Sequence, residues 1–211
     1  MRALCVLAAL AAFAPAPARA DEWNFRVLLD GREVGRHVYS IRESDGLTSV
    51  TSEARFDVRI LFIPAWRYDH RAVERWDGGC LRSLESRTVT NRERESVVAR
   101  AEGERFTVQR DGARDEYRGC VMSFAYWDPR FLTQDRLLNS QTGEMVPVDI
   151  RPQGTEAVAV MGSRRMAERH RIAGEGLQID VWYADGRWVA LEALAPGGRV
   201  LRYELDGGKA S

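Results

Sequence analysis

The dipeptide Asp-Gly recurs at 30–31, 45–46, 77–78, 111–112, 185–186 and 206–207. No other feature restricts the fold of this chain so tightly. Asp-Gly favours the positive backbone dihedrals of a type I′ turn, whose twist matches that of two paired strands. Five of these pairs stand between runs that alternate apolar and polar residues, the pattern of a strand with one buried face. The chain therefore reads as an antiparallel meander. Predicted strands cover 22–30, 33–43, 47–60, 66–77, 80–90, 93–102 and 105–110 in the first half. In the second half they cover 146–151, 155–161, 165–173, 177–184, 187–195 and 199–205. The run 61–65 reads as an apolar loop, and Pro64, which cannot donate to a ladder, predicts a break or bend there.

The strand over 66–77 carries the most information. Trp66, Tyr68, His70, Ala72, Glu74 and Trp76 fall on one face by the two-residue period, opposite Arg67, Asp69, Arg71, Val73 and Arg75. The charged face must meet solvent. The other face offers large aromatics, one imidazole and one carboxylate to the interior.

Residues 119–139 form the one long stretch past the N-terminus that does not alternate. Phe124, Tyr126, Trp127 and Phe131 crowd into it, and Asp128-Pro129 is a helix-start signal: the carboxylate accepts from first-turn amides and proline suits the first helical position. Phe131 and Leu138, seven apart, would share a helix face. The expected fold is mainly β, an antiparallel meander forming a half-barrel or strongly curved sheet with one short helical segment in its concave side.

The N-terminus reads as an export signal over 1–20. Arg2 supplies the positive charge, 3–14 an apolar run too short to span a bilayer, and Ala18-Arg19-Ala20 the small-x-small cleavage pattern. No later stretch is apolar enough to span a membrane, so a periplasmic location is expected, with 21–211 a single β domain. Loss of that signal leaves only Cys80 and Cys120, which an oxidising compartment would join. Closing that loop would stabilise the fold by roughly 4 kcal/mol on a chain-entropy argument. Charge is balanced at 31 basic and 31 acidic residues, and Arg and Glu interleave, as in Arg92-Glu-Arg-Glu95. That pattern suits solvated strand faces with cross-strand ion pairs, and it argues against a nucleic-acid partner.

Four stretches carry a resemblance. They are Trp23-Asn-Phe-Arg-Val-Leu-Leu-Asp-Gly31, Ser52-Glu-Ala-Arg-Phe-Asp-Val-Arg-Ile60, Gly119-Cys-Val-Met-Ser-Phe-Ala-Tyr-Trp127 and Trp182-Tyr-Ala-Asp-Gly-Arg-Trp188. Together they resemble an exported proteobacterial family catalogued only as a domain of unknown function, across nearly the whole chain after the signal. A looser resemblance, in the order of aromatic helix, strands and Trp-x-x-Asp hairpin, implies a fold like the half-barrels of periplasmic lipoprotein carriers. Neither resemblance supplies a catalytic residue.

Three constellations bear on function. A curved sheet too large for its own side chains to fill encloses an apolar ligand cavity. Its walls would be Trp66, Tyr68, Trp76, Tyr126, Trp127 and Trp182, with His70 and Glu74 at the polar end of the ligand. The alternative is a filled core face in which His70 and Glu74 bond each other or backbone, since neither can be buried unpaired without cost. For hydrolysis, Ser123 and Asp69-His70 are candidates, but adjacent strand residues point to opposite faces and no Gly-x-Ser-x-Gly elbow occurs. For metal, His37, His70 and His170 stand isolated. No metal or cofactor is expected. The reading is a non-catalytic protein that holds a hydrophobic small molecule, lipid or acyl chain. The alternatives are a module that docks an envelope protein and an enzyme acting on a lipid-like substrate.

Overall fold

A computed structural model describes residues 19–60 and 63–209. Eight strands open the chain: β1 (Arg19–Leu29), β2 (Arg32–Ser44), β3 (Leu47–Ile60), β4 (Ile63–Asp77), β5 (Cys80–Thr90), β6 (Glu93–Glu102), β7 (Arg105–Arg110) and β8 (Ala113–Arg118). A 3-10 turn at Pro129–Thr133 and two short strands, β9 (Arg136–Leu138) and β10 (Met145–Pro147), follow. The chain closes with β11 (Asp149–Val160), β12 (Ser163–Gly174), β13 (Leu177–Ala184), β14 (Arg187–Ala195) and β15 (Arg199–Lys209). Arg19 and Ala20 of the expected signal begin β1, and the rest of that segment lies outside the described residues.

All but β9 and β10 join one antiparallel sheet of 13 strands in the order β11-β12-β13-β14-β15-β1-β2-β3-β4-β5-β6-β7-β8. The two halves of the chain are thus two meanders stitched by β15 against β1, where Val27 faces Tyr203 and Phe25 faces Leu205. The sheet is not closed; β8 and β11 are its edges. Register shifts in β1, β4, β11 and β13 mark bulges, which bend and twist a sheet. One of them stands opposite Gly35, where an added Cβ would collide with the Arg55 carbonyl oxygen.

The turns form as their residues require. Asp30-Gly31, Asp45-Gly46, Asp111-Gly112 and Asp185-Gly186 take positive φ at both positions. After Asp77 the two loop positions go to Gly78 and Gly79 instead (φ 57° and 89°). The Asp-Gly at 206–207 makes no turn: Gly207 pairs with Asn24 inside the ladder.

Four expectations need correction. The polar strand β8 was not foreseen, because an edge strand needs only one half-buried face and Ala-Arg-Asp-Glu-Tyr-Arg shows almost no alternation. The strand expected at 146–151 is split between the end of β10 and the start of β11, and β11 runs on through the strand expected at 155–161, bent between Pro152 and Gly154. Proline and a bulge are tolerated there because β11 is an edge. Pro64 lies inside β4, paired with Arg59 next to a register shift, rather than in a loop; Leu61 and Phe62 lie outside the described residues. The helix starting at Asp128 stops at Thr133, so Leu138 lies in β9 and does not share a helix face with Phe131. Both are nonetheless fully buried.

The non-alternating segment lies in the trough. Phe131, Leu137, Leu138, Val121 and Ala125 are buried in the same cluster as the inward residues of the sheet. Burial of a phenylalanine such as Phe131 stabilises by about 2–3 kcal/mol. The Cys80–Cys120 disulfide ties one end of the segment to β5. Nearby, Leu81 N–H donates to the Val121 carbonyl (2.9 Å). On the far wall the Tyr183 hydroxyl donates to the Tyr126 carbonyl (2.6 Å), and Tyr126 packs against Trp188 with ring centroids 5.2 Å apart. The segment therefore bridges the two meanders.

Candidate functional site

Strand register decides which side chains meet inside the trough. Across β1 to β5, Phe25, His37, Ala54, His70 and Thr88 lie in one lateral row. Ala54 stands between the two imidazoles. Two residues along, Tyr39 faces Ser52. Beneath the central segment His37, His70, Tyr39 and Ser52 border a cavity of about 220 Å³. Its walls differ. His37, Tyr39, Ser52, Tyr68 and His70 come from β2 to β4, whereas Ile179, Leu191, Ala193 and Leu201 come from β13 to β15. Tyr203 completes the polar wall, Phe124 and Tyr126 form part of the roof, and the turn at Asn139, Ser140 and exposed Gln141 stands at the mouth.

The polar wall carries no net charge. His37 stacks on Tyr39 at 4.3 Å, with Nε2 2.6 Å from the Ser52 hydroxyl and Nδ1 3.4 Å from that of Tyr203. Burial, helped by the charge His70 would carry, lowers its pKa to about 3. His70 places Nδ1 2.9 Å from the Thr88 hydroxyl, and burial lowers its pKa to about 4 against a small opposing pull from Asp69. Both imidazoles are neutral at physiological pH. Burial and mutual repulsion likewise push the Tyr39, Tyr68 and Tyr126 phenols well above their ordinary value, and burial alone does so for Tyr203.

Of the side chains expected at the site, Tyr68, His70 and Tyr126 line the cavity. Trp66 is half-buried and stacks on Tyr68 (5.5 Å) and Phe56 (6.3 Å), outside the lining set. Glu74 and Trp76 lie further along β4, under the central segment. Glu74 accepts from the Ser123 hydroxyl (2.9 Å) and from Trp76 Nε1 (3.1 Å). Burial raises its pKa to about 7 despite those two bonds. Glu74 and His70 thus bond separate partners, neither each other nor backbone. Trp127 meets Trp76 edge to face at 5.6 Å.

Trp182 is on the opposite side of the sheet. It shares a lateral row with Ala190, Glu204 and Arg26, and Arg26 alternates with the inward Phe25 and Val27. The guanidiniums of Arg169 and Arg202 cover its ring at 5.3 and 5.5 Å, and its Nε1 donates to Glu156 (2.8 Å). Beside it Asp180 receives Arg169 (2.7 Å) and both Nε and Nη2 of Arg171 (2.9 Å each). Burial pushes the Asp180 pKa up, but the bonds from Arg171 and Arg169 more than offset it. Sequence reasoning also passed over His37, Tyr39, Ser52 and Tyr203 as site residues. The signal for the first two was their common face on β2, two positions apart. What hid them was the register that brings His37 within reach of Tyr203.

Among the described residues no helix is long and apolar enough to cross a membrane. A family profile described as a domain of unknown function (DUF6134) matches residues 25–206. No curated protein sequence matches the chain. Its fold is similar to the crystal structure of a beta-barrel-like protein of another domain of unknown function, DUF1849, from Brucella abortus. The TM-score is 0.67 at 13% sequence identity, covering 92% of this chain and 98% of that one. That likeness establishes a barrel-like fold.

Proposed function

The chain belongs to the DUF6134 family, and for this member we propose a non-catalytic role: an exported protein that holds a hydrophobic ligand, a lipid or acyl chain, in the trough of its sheet. One observation carries the reading. The cavity has a polar wall from β2 to β4 and an apolar wall from β13 to β15, the two-sided lining an amphiphile requires. An engineered apolar cavity of about 150 Å³ admits benzene, so 220 Å³ accommodates a short chain or the end of a longer one. The remainder of a longer molecule would leave past Gln141. Tyr68, His70 and Tyr126 serve as contacts; Trp66, Glu74, Trp76 and Trp127 support the wall and the segment above it. The disulfide fits an oxidising compartment.

The close contact of Ser52 with His37 resembles a nucleophile and its base, yet the chemistry weighs against hydrolysis. An imidazole whose pKa is about 3 is a poor acceptor for a serine proton. Its other nitrogen faces a phenol at 3.4 Å rather than a carboxylate that would stabilise an imidazolium.

Polarity-sensitive fluorescence of 1-naphthol tests the reading. A saturable one-to-one rise in emission is expected, lost when Ala193→Phe fills the cavity. Equal titration curves for the two proteins would refute it. A second reading is docking of an envelope protein on the sheet edge. It is favoured by the β11–β12 hairpin, where Met161 and Met166 are 58% and 62% exposed.

A further inference from the structure

The lining of the cavity says more than that it is amphipathic. Among the described residues no Lys, Arg, Asp or Glu borders it. The carboxylate on the inner face of β4, Glu74, has both oxygens committed to Ser123 and Trp76. His37 has both ring nitrogens answered by hydroxyls, of Ser52 and Tyr203, whereas His70 has one answered, by Thr88. On the remaining side, His70 Nε2 and the hydroxyls of Tyr68 and Tyr126 have no protein partner among the described residues. His70 is only 4% exposed, so what answers its second nitrogen must come from within the cavity. These three atoms are not sealed off, so a molecule in the cavity can reach each of them.

We infer that the ligand presents an uncharged oxygen, an alcohol, ketone or ester carbonyl, to Tyr68, Tyr126 and His70, with a short apolar body against Ile179, Leu191 and Leu201. This rests on the binding role proposed above and specifies its substrate class. Phenols donate to such an oxygen, and imidazole donates or accepts according to its tautomer. A carboxylate or ammonium would enter a site that has no counter-ion, and the imidazoles that might have supplied one stay neutral in it. Scaling from benzene in about 150 Å³, the enclosed part of the ligand has roughly ten non-hydrogen atoms.

Four probes of matched length separate the possibilities: 1-octanol, 2-octanone, octanoate and octylammonium, titrated calorimetrically into the full chain at pH 8, where the acid stays ionised. The neutral pair should bind, with both ions at least ~30-fold weaker. Tyr68→Phe and Tyr126→Phe each remove a single hydroxyl and should weaken 2-octanone by about 5- to 10-fold. Octanoate or octylammonium binding as tightly as the neutral pair would overturn the inference and leave the binding role intact. Binding by none of the four would overturn both. Tyrosine variants that bind 2-octanone like the parent would remove the assigned contacts and the inference with them.

Discussion

The outer face around Asp180 and the inner face around His70 both bury polar groups, and they treat them in opposite ways. Outside, charge is kept and paired: Asp180 holds two arginines, and Trp182 is capped by two guanidiniums and bonded to Glu156. Inside, charge is suppressed by burial, and His70 Nε2 and the Tyr68 and Tyr126 hydroxyls have no protein partner among the described residues. A cluster whose charges are paired stabilises a fold and offers a ligand little beyond the Nε of Arg169. A cluster that stays neutral and incomplete contributes less to stability and is open to one. The two faces should therefore respond to substitution in different measurements.

The largest effect is expected outside. Trp182→Ala should cost about 3 kcal/mol of unfolding free energy by the usual scale for buried aromatics, with ligand affinity unchanged. Denaturant titration and the naphthol assay together check it; loss of binding at native stability would put Trp182 back at the site.

Glu74 breaks the symmetry of the comparison, since it is an inner carboxylate that does have partners. Its folded pKa of about 7 stands above the ordinary glutamate value of 4.5. The native state then holds its proton more firmly than the unfolded chain does. Its contribution is full below pH 4.5 and is lost as pH rises through 7, by about 3 kcal/mol in all. The histidines act in the other direction, because their folded pKa values of about 3 and 4 lie below 6.5. Their contribution is full above pH 6.5 and is lost as pH falls. Glu74→Gln isolates the carboxylate: relative to the parent, the variant should gain stability steadily from pH 4.5 to 8 in parallel denaturation curves. A pH-independent difference would mean that the carboxylate is not held protonated.

Asp180→Asn comes next, at about 2 kcal/mol. Stranding a buried ion pair costs more in general, but Arg169 and Arg171 are 27% and 36% exposed in their side chains and water can take over. The cost should shrink further in high salt. The smallest stability effect belongs to the inner face: His70→Phe should stay within about 1 kcal/mol of the parent while weakening an uncharged ligand about tenfold.

This contrast also explains what could be read beforehand. The meander was legible because Asp-Gly turns and two-residue alternation are local signals. So was the buried face of β4, where Arg67, Asp69, Arg71 and Arg75 declare the solvent side and all four are exposed. Trp182 was misplaced because every residue from Ile179 to Ala184 is buried, so β13 offers no alternation from which to assign an inside. The cavity groups His37 and Tyr203 were missed for another reason. They are 166 residues apart in sequence and meet through the pairing of β15 with β1, a long-range register that no local pattern announces. The cysteines needed only their number and a compartment.

The central claim is that the hollow under residues 119–139 holds an uncharged, mostly apolar molecule. Native mass spectrometry of the protein recovered without detergent from the cells that make it would detect that molecule. A stoichiometric adduct, neutral when released, is expected on the parent chain, and a bare mass for Ala193→Phe prepared in the same way. A bare parent, or the same adduct on both proteins, would contradict it.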